Sequence, residues 1–354
     1  MVADFGPGAA LLPVGVEPYK TWTPTQVFDL EPPEWLIDYV LPKEGSVLLY
    51  GATNTGKSLL ALDWAFRLAN GWRWNGLLVP EPKKVLYVYA EGGHDLQLRY
   101  QAWQEGNNVQ HLERLEDNLL FVGLDEEIKL RWSPDQDSVP VGVERLFQNA
   151  EDFDPDVIVF DPAQEVWRGM DGNSDRDVQM ALKVPKELKR RHGAASIVVH
   201  HTRKEGDVYR GATSWLDLTD VGFSIAEDQQ VANQVTVRNT KNRYADKGRS
   251  WVMRRQVQQI ERVPKLLGME SVFLTKGAMV GTIGEGREGA VVLFLQQNGP
   301  TSYTRIAKEI SPSNVNSSVV AKTLTKLKAD GIIAKGPKRN DPYYLVEVEE
   351  VDEL

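Results

Sequence analysis

The chain has no cysteine, and only five of its 354 residues are histidine. The first absence excludes disulfides, thiolate nucleophiles and cysteine-ligated metals, and it fits a reducing, cytoplasmic setting. Without thiolates or a carboxylate pair at ligand spacing near the histidines, a zinc site lacks a full ligand set. No stretch approaches the roughly 18 consecutive apolar residues that span a bilayer, so no membrane partner is expected. The opening MVADFGPGAALLPVGVEPYK lacks the basic start of a secretory signal. A general basic character is missing too. With a formal charge of −9, any contact with nucleic acid must be made by local clusters. Hydrophobic residues at 42% still leave enough apolar material for one large domain and one small one.

Residues 1–32, rich in Pro, Gly and Thr and without periodicity, read as a flexible arm. From residue 33 to 274, short β-branched runs alternate with helical patterns. The runs at 46–50, 85–90, 157–160 and 196–200 read as strands, and 59–69 as an amphipathic helix. This pattern predicts an α/β domain with a mostly parallel sheet between helices. Five glycines between 275 and 289 suggest a linker over 275–288. Beyond it, three helical stretches and a strand–turn–strand over 289–347 resemble a winged helix-turn-helix, and 348–354 is an acidic tail.

The chemistry is concentrated in SVLLYGATNTGKSLLALDWAFRLA. Gly51-Ala52-Thr53-Asn54-Thr55-Gly56-Lys57-Ser58, with Leu59 following, is a complete P-loop signature between a strand and a helix. Glycines let the backbone turn and aim its N–H groups at phosphate oxygens, and the helix start adds its dipole. Lys57 is expected to reach the β- and γ-phosphates of ATP, and the Ser58 hydroxyl to ligate Mg²⁺. The next strand ends at Ala90-Glu91, where a carboxylate can orient and deprotonate an attacking water. The same residue can equally be a loop acid or a helix cap. VIVFDP then supplies Asp161 in a Walker B pattern, a second Mg²⁺ residue. His200 and His201 close a later strand. Side chains alternate, so one of them can meet the γ-phosphate while the other faces away; both can also be structural.

In this order the motifs resemble those of the RecA-like ATPases, and specifically the hexameric helicases of the plasmid RepA and DnaB type. The lead-in PPEWLIDYVLPKEG, the P-loop, VLYVYAEGG, VIVFDP, SIVVHHTRK, YRGATSW and NTKNRYADKG each resemble the matching segment, over roughly residues 33–260. The resemblance implies a RecA-like P-loop NTPase core binding ATP and Mg²⁺. It implies that Glu91 activates water, Asp161 holds the metal through water and His200 senses the γ-phosphate. Lys241 and Arg243 would act on the nucleotide of a neighbouring subunit, with Arg210 a second candidate for that finger. The C-terminal region has no counterpart in the compact plasmid helicases.

Residues 238–249 hold five basic side chains and one acid, which suits trans-acting fingers but also a solvated hairpin or a DNA contact. Arg203, Lys204 and Arg210 lie in a Gly-punctuated segment that would face a ring's channel, with Tyr209 available for stacking. Residues 287–345 carry nine Lys or Arg against four Asp or Glu. Among them, Lys322, Lys326 and Lys328 fall on the expected recognition helix, and Lys335, Lys338 and Arg339 on the wing. That is a footprint for phosphate contact or for protein docking. The expected function is an ATP-hydrolysing motor, a replicative helicase moving on single-stranded DNA as a homo-oligomeric ring, most simply a hexamer. A RecA-like recombinase or strand-annealing ATPase, and an ATP-switched winged-helix initiator, stand as alternatives.

Overall fold

Apolar runs rich in Val, Leu and Tyr form the strands at the centre of the molecule, because only a two-sided core buries such residues from end to end. A computed structural model describes the chain from residue 20 to 345 apart from residues 92, 94, 110–112, 133–137, 173, 203–212, 229–230, 246–247, 276–278, 281–290, 292–293, 296–299, 311–317, 330–332 and 337–340. The chain forms two units, residues 1–33 and 34–354. In the first, α1 (Pro24–Phe28) begins with a capping box in which Thr23 and Gln26 satisfy each other's backbone N–H groups. This short helix falls within the expected arm, whose first 19 residues lie outside those described.

The second unit opens with the pair β1 (Trp35–Ile37) and β2 (Leu41–Pro42). There follow β3 (Ser46–Gly51), α2 (Lys57–Asn70), β4 (Val85–Tyr89), α3 (Leu96–Gly106), α4 (Glu113–Asn118), β5 (Leu119–Val122), α5 (Val141–Phe153) and β6 (Val157–Asp161). The chain continues through α6 (Ala163–Val166), α7 (Asp175–Ala181), α8 (Lys183–His192), β7 (Ala195–His201), α9 (Thr213–Leu218) and β8 (Val221–Glu227). Then come β9 (Gln234–Asn242), β10 (Ser250–Gln259), β11 (Glu270–Thr275) and β12 (Met279–Val280).

One sheet joins most of these strands in the order β11-β10-β9-β8-β3-β7-β6-β4-β5, with β12 also on β10. From β8 to β5 all pairings are parallel, and from β8 outward to β11 they are antiparallel. The expected mostly parallel sheet is therefore present, and the antiparallel extension is an addition to it. In that extension polar and apolar residues alternate, so Val235, Val237, Trp251 and Met253 are buried while Thr236, Arg238, Val252 and Arg254 are not. Met279 and Val280, which fall within the expected linker, pair with Trp251 and Ser250.

Alternation along β3 divides the core into two layers. Val47 and Leu49 pack with α2 on one face; Leu48 and Tyr50 meet Leu146, Val166 and Leu188 of α5, α6 and α8 on the other. An aromatic cluster fastens the extension to the first layer: Trp74 meets Trp64 of α2 at 5.5 Å and Trp251 of β10 at 5.1 Å between ring centroids.

Farther along, α10 (Tyr303–Ile310), α11 (Ser318–Ala329) and the antiparallel pair β13 (Ile333–Lys335) and β14 (Tyr343–Leu345) enclose a small core of their own. Val291, Leu295, Ile306, Val320, Leu324 and Ile333 fill it, and Thr301 bridges to Tyr343 at the strand edge. Two helices and a hairpin of the expected C-terminal arrangement are thus present. Of the third expected helix only residues 291, 294 and 295 are described, and the acidic tail lies outside the described residues.

Trp251 is 1% exposed. Trp251→Ala should lower unfolding free energy by about 3–5 kcal/mol, measured as a fall in the urea midpoint.

Candidate active site

The loop after β3 is shaped by close approach and by left-handed backbone. A Cβ on Gly51 would sit 2.3 Å from the Ile225 carbonyl oxygen of β8, so only glycine lets β3 lie so close. Asn54 (φ 65) and Gly56 (φ 95) both adopt left-handed conformations, and α2 begins at the next residue, Lys57. The Thr55 hydroxyl and the Lys57 ammonium both donate to the Ala52 carbonyl, at 2.9 and 2.6 Å. From outside, Arg255 of β10 donates through Nη1 to the Asn54 carbonyl at 2.9 Å, and its Nη2 pairs with Glu227 at 2.8 Å.

Lys57 is 2% exposed. Burial holds its pKa down at about 8, against the opposing pull of Asp161 and Glu91. Asp161 ends β6, which β7 separates from β3. It accepts from the Ser58 hydroxyl at 3.0 Å through Oδ1 and from the Tyr87 hydroxyl at 2.7 Å through Oδ2. Burial raises its pKa to about 6 even though both hydrogen bonds favour the ionised form. An ammonium, a hydroxyl and a buried carboxylate at one loop are the donors that a nucleotide phosphate and a hard cation require. The residues therefore fit Mg²⁺–ATP, with Ser58 and Asp161 on the metal side and Lys57 on the phosphates.

Glu91 follows β4, is 42% exposed at its side chain, and lies 3.9 Å from His201 Nε2. The two histidines divide as alternation requires. His200 is buried, stacks on Trp215 at 5.3 Å, and accepts at Nδ1 from the Gln164 amide at 3.2 Å. That contact leaves the His200 proton on Nε2. Gln164 also donates to the His201 carbonyl at 3.1 Å. Burial, then the charges of His201 and Lys57, pushes the His200 pKa down to about 4; burial and Lys57 do the same to His201. Both rings are neutral at physiological pH. They act there as hydrogen-bonding groups, and His201 Nδ1 is buried with no partner among the described residues.

Lys241 and Arg243 stand elsewhere. Lys241 pairs across β9–β8 with Gly222, and Gly222 with Leu48, while Asp220 bonds back to Ser46 at the start of β3. Arg243 is thus about five residues of strand, roughly 17 Å, from the loop that follows Gly51. Here Lys241 Nζ donates to the Leu216 and Asp217 carbonyls at 2.7 and 3.0 Å, and Arg243 pairs with Asp220 at 3.0 Å. Arg203, Lys204, Arg210, Lys338 and Arg339 lie outside the described residues, as does the side chain of Lys326. Lys322 and Lys328 are exposed on α11, and Lys335 sits 5.4 Å over the Tyr343 ring.

Reading the sequence overlooked Tyr87, Gln164, Trp215 and Arg255. Tyr87 had a signal, since a hydroxyl inside a fully buried strand needs a partner. The other three had none without the sheet order.

A strand, a phosphate loop, a helix and a buried aspartate two strands away define a P-loop NTPase with a RecA-like strand arrangement. The chain belongs to the AAA domain family, whose model matches residues 17–207, more than half of its length. No curated protein matches the chain. Among solved structures it is similar to a KaiC-like protein from the hyperthermophilic archaeon Pyrococcus horikoshii, with 14% identity and a TM-score of 0.41 over 67% of this chain and 93% of that one. The chain is an ATP-hydrolysing P-loop enzyme, and among its described residues no helix is long and apolar enough to cross a membrane.

Because the Asp161 pKa is raised from 3.8 to about 6, the folded state holds a proton that the unfolded chain has released between these values. Stability therefore falls as pH rises through that window, by on the order of 3 kcal/mol above pH 6. Without nucleotide and Mg²⁺, Asp161→Asn should be more stable than the parent at pH 7.5 and gain nothing below pH 4. Thermal melts across this range check it.

Proposed function

We propose that this ATPase is a DNA motor of the RepA and DnaB type, a ring that moves along single-stranded DNA and separates a duplex. The position of Lys241 and Arg243 carries this reading. They stand at the end of the sheet away from their own phosphate loop, so a nucleotide they serve must be held by another copy. The resemblance of NTKNRYADKG to the corresponding hairpin of those helicases, and the basic segment 203–210, support the same conclusion.

Within one site the proposed roles are these. Backbone N–H groups from Ala52 to Leu59 receive the phosphates, and Lys57 neutralises their charge. Ser58 and Asp161 would hold Mg²⁺, which would supply positive charge to stabilise the transferred phosphate. Glu91, exposed at the mouth of the site, takes the proton of the attacking water. His200, neutral and carrying its proton on Nε2, donates to the γ-phosphate and loses that contact on cleavage. Lys241 and Arg243 of one copy complete the site of the next, which ties hydrolysis to assembly. A second reading rests on Lys322 and Lys328, exposed on α11: there the winged-helix-like unit grips a duplex and ATP switches assembly, as in an initiator.

Lys57→Ala should abolish turnover, and Glu91→Gln should trap bound ATP. Arg243→Ala should lower the hydrolysis rate by about a thousandfold while sparing nucleotide binding. The deciding measurement is ATPase rate per chain against protein concentration, with and without single-stranded DNA, followed by unwinding of a forked duplex. A rate indifferent to dilution and to DNA would refute the motor. Hydrolysis without unwinding, together with a footprint on a defined duplex, would favour the initiator.

A further inference from the structure

The phosphate loop is pinned at two points. Inside, Thr55 and Lys57 both bond the Ala52 carbonyl. Outside, the only group among the described residues recorded on the Asn54 carbonyl is Arg255 Nη1, at 2.9 Å. Arg255 is itself well fixed. Its backbone N–H donates to Asn233 at 2.7 Å, Nη2 pairs with Glu227 at 2.8 Å, and its side chain is 23% exposed. Nε is buried and has no partner among the described residues.

We propose that Arg255 is a positioning residue of the ATP site: it aims the tip of the phosphate loop. The Asn54 carbonyl and the Thr55 N–H belong to one planar peptide unit and point in opposite directions. A guanidinium that draws the carbonyl outward therefore turns the Thr55 N–H into the loop, toward a phosphate oxygen. Asn54 sits at φ 65, a conformation that costs energy for a side-chain-bearing residue and persists when neighbours enforce it. Arg255 supplies that enforcement from β10, a strand of the antiparallel extension rather than of the nucleotide-binding core. Leu274, its cross-strand partner in β11, would lie 3.9 Å from a Cβ on Gly56 at the loop's other end. The extension thus approaches the loop at two places, near Asn54 and near Gly56, and preorganised N–H groups bind phosphate more tightly than mobile ones.

The test uses the full-length chain, titrated with a fluorescent ATP analogue and assayed for ATPase. Arg255→Ala should weaken nucleotide binding and raise KM about tenfold, the loss of one charge-assisted contact. It should leave kcat within about twofold, because Arg255 touches no reacting atom. Arg255→Lys should recover most of the affinity, and Glu227→Gln should show a smaller loss in the same direction. The melting temperature of the nucleotide-free protein should hold, while the upward shift on adding ATP shrinks. Two results would overturn the assignment. One is unchanged affinity in Arg255→Ala; the other is a fall in nucleotide-free melting temperature that accounts for the loss and is not reversed by lysine. Lys57→Ala run in parallel separates the two levels. If it too retains turnover, the reading of the loop as the ATP site fails, not only the role of Arg255.

Discussion

Everything at this site depends on keeping one carboxylate charged where water scarcely reaches. Asp161 is 1% exposed at the end of a fully buried strand, and desolvation disfavours its ionised form. Two hydroxyls, from Ser58 and Tyr87, offset part of that cost, and the Lys57 cation is nearby. Any of these charges alone would be an expensive burial; together they form a network of opposite charges suited to a phosphate and its cation. The order of strands makes the network possible. With β7 set between β3 and β6, the loop and the aspartate face each other across one strand width, and the strand that ends in the two histidines runs between them.

The division of labour between the two faces follows from the same strands. Tyr87 and Tyr89 point to the α2 layer and carry hydroxyls to Asp161 and Asp95. Phe160, Trp167 and Trp215 fill the other layer and hold the ring of His200 in one orientation. Catalytic polarity and packing are not separate designs here, since each strand delivers one kind of residue to each side.

How much of this could be read beforehand varied with the kind of signal. Lys57, Ser58 and Asp161 stood out because phosphate chemistry demands those residue types at fixed places relative to a strand end. Glu91 and the histidines were visible as strand-terminal polar residues, and their division between two environments followed from alternation. Gln164 was not visible: it reaches His200 across the sheet from a four-residue helix, and no spacing in the sequence connects them. Arg255 was hidden for a related reason. Arg254 and Arg255 are adjacent on an alternating strand, and only the register with β9 and β11 shows which one turns toward the loop. The antiparallel extension itself escaped notice because QVTVRNTKN and SWVMRRQVQQ are half polar, as strands covered on one side are.

Lys241 also has a mechanical meaning. Its ammonium holds the Leu216 and Asp217 carbonyls in the last turn of α9, and α9 leads through Thr219 and Asp220 into β8, the strand beside β3. Hairpin and helix are therefore tied together, through hydrogen bonds from a β9 side chain, at the entry to β8. A contact that lifts the ammonium off Leu216 and Asp217 leaves that helix terminus uncapped just where the chain turns into β8.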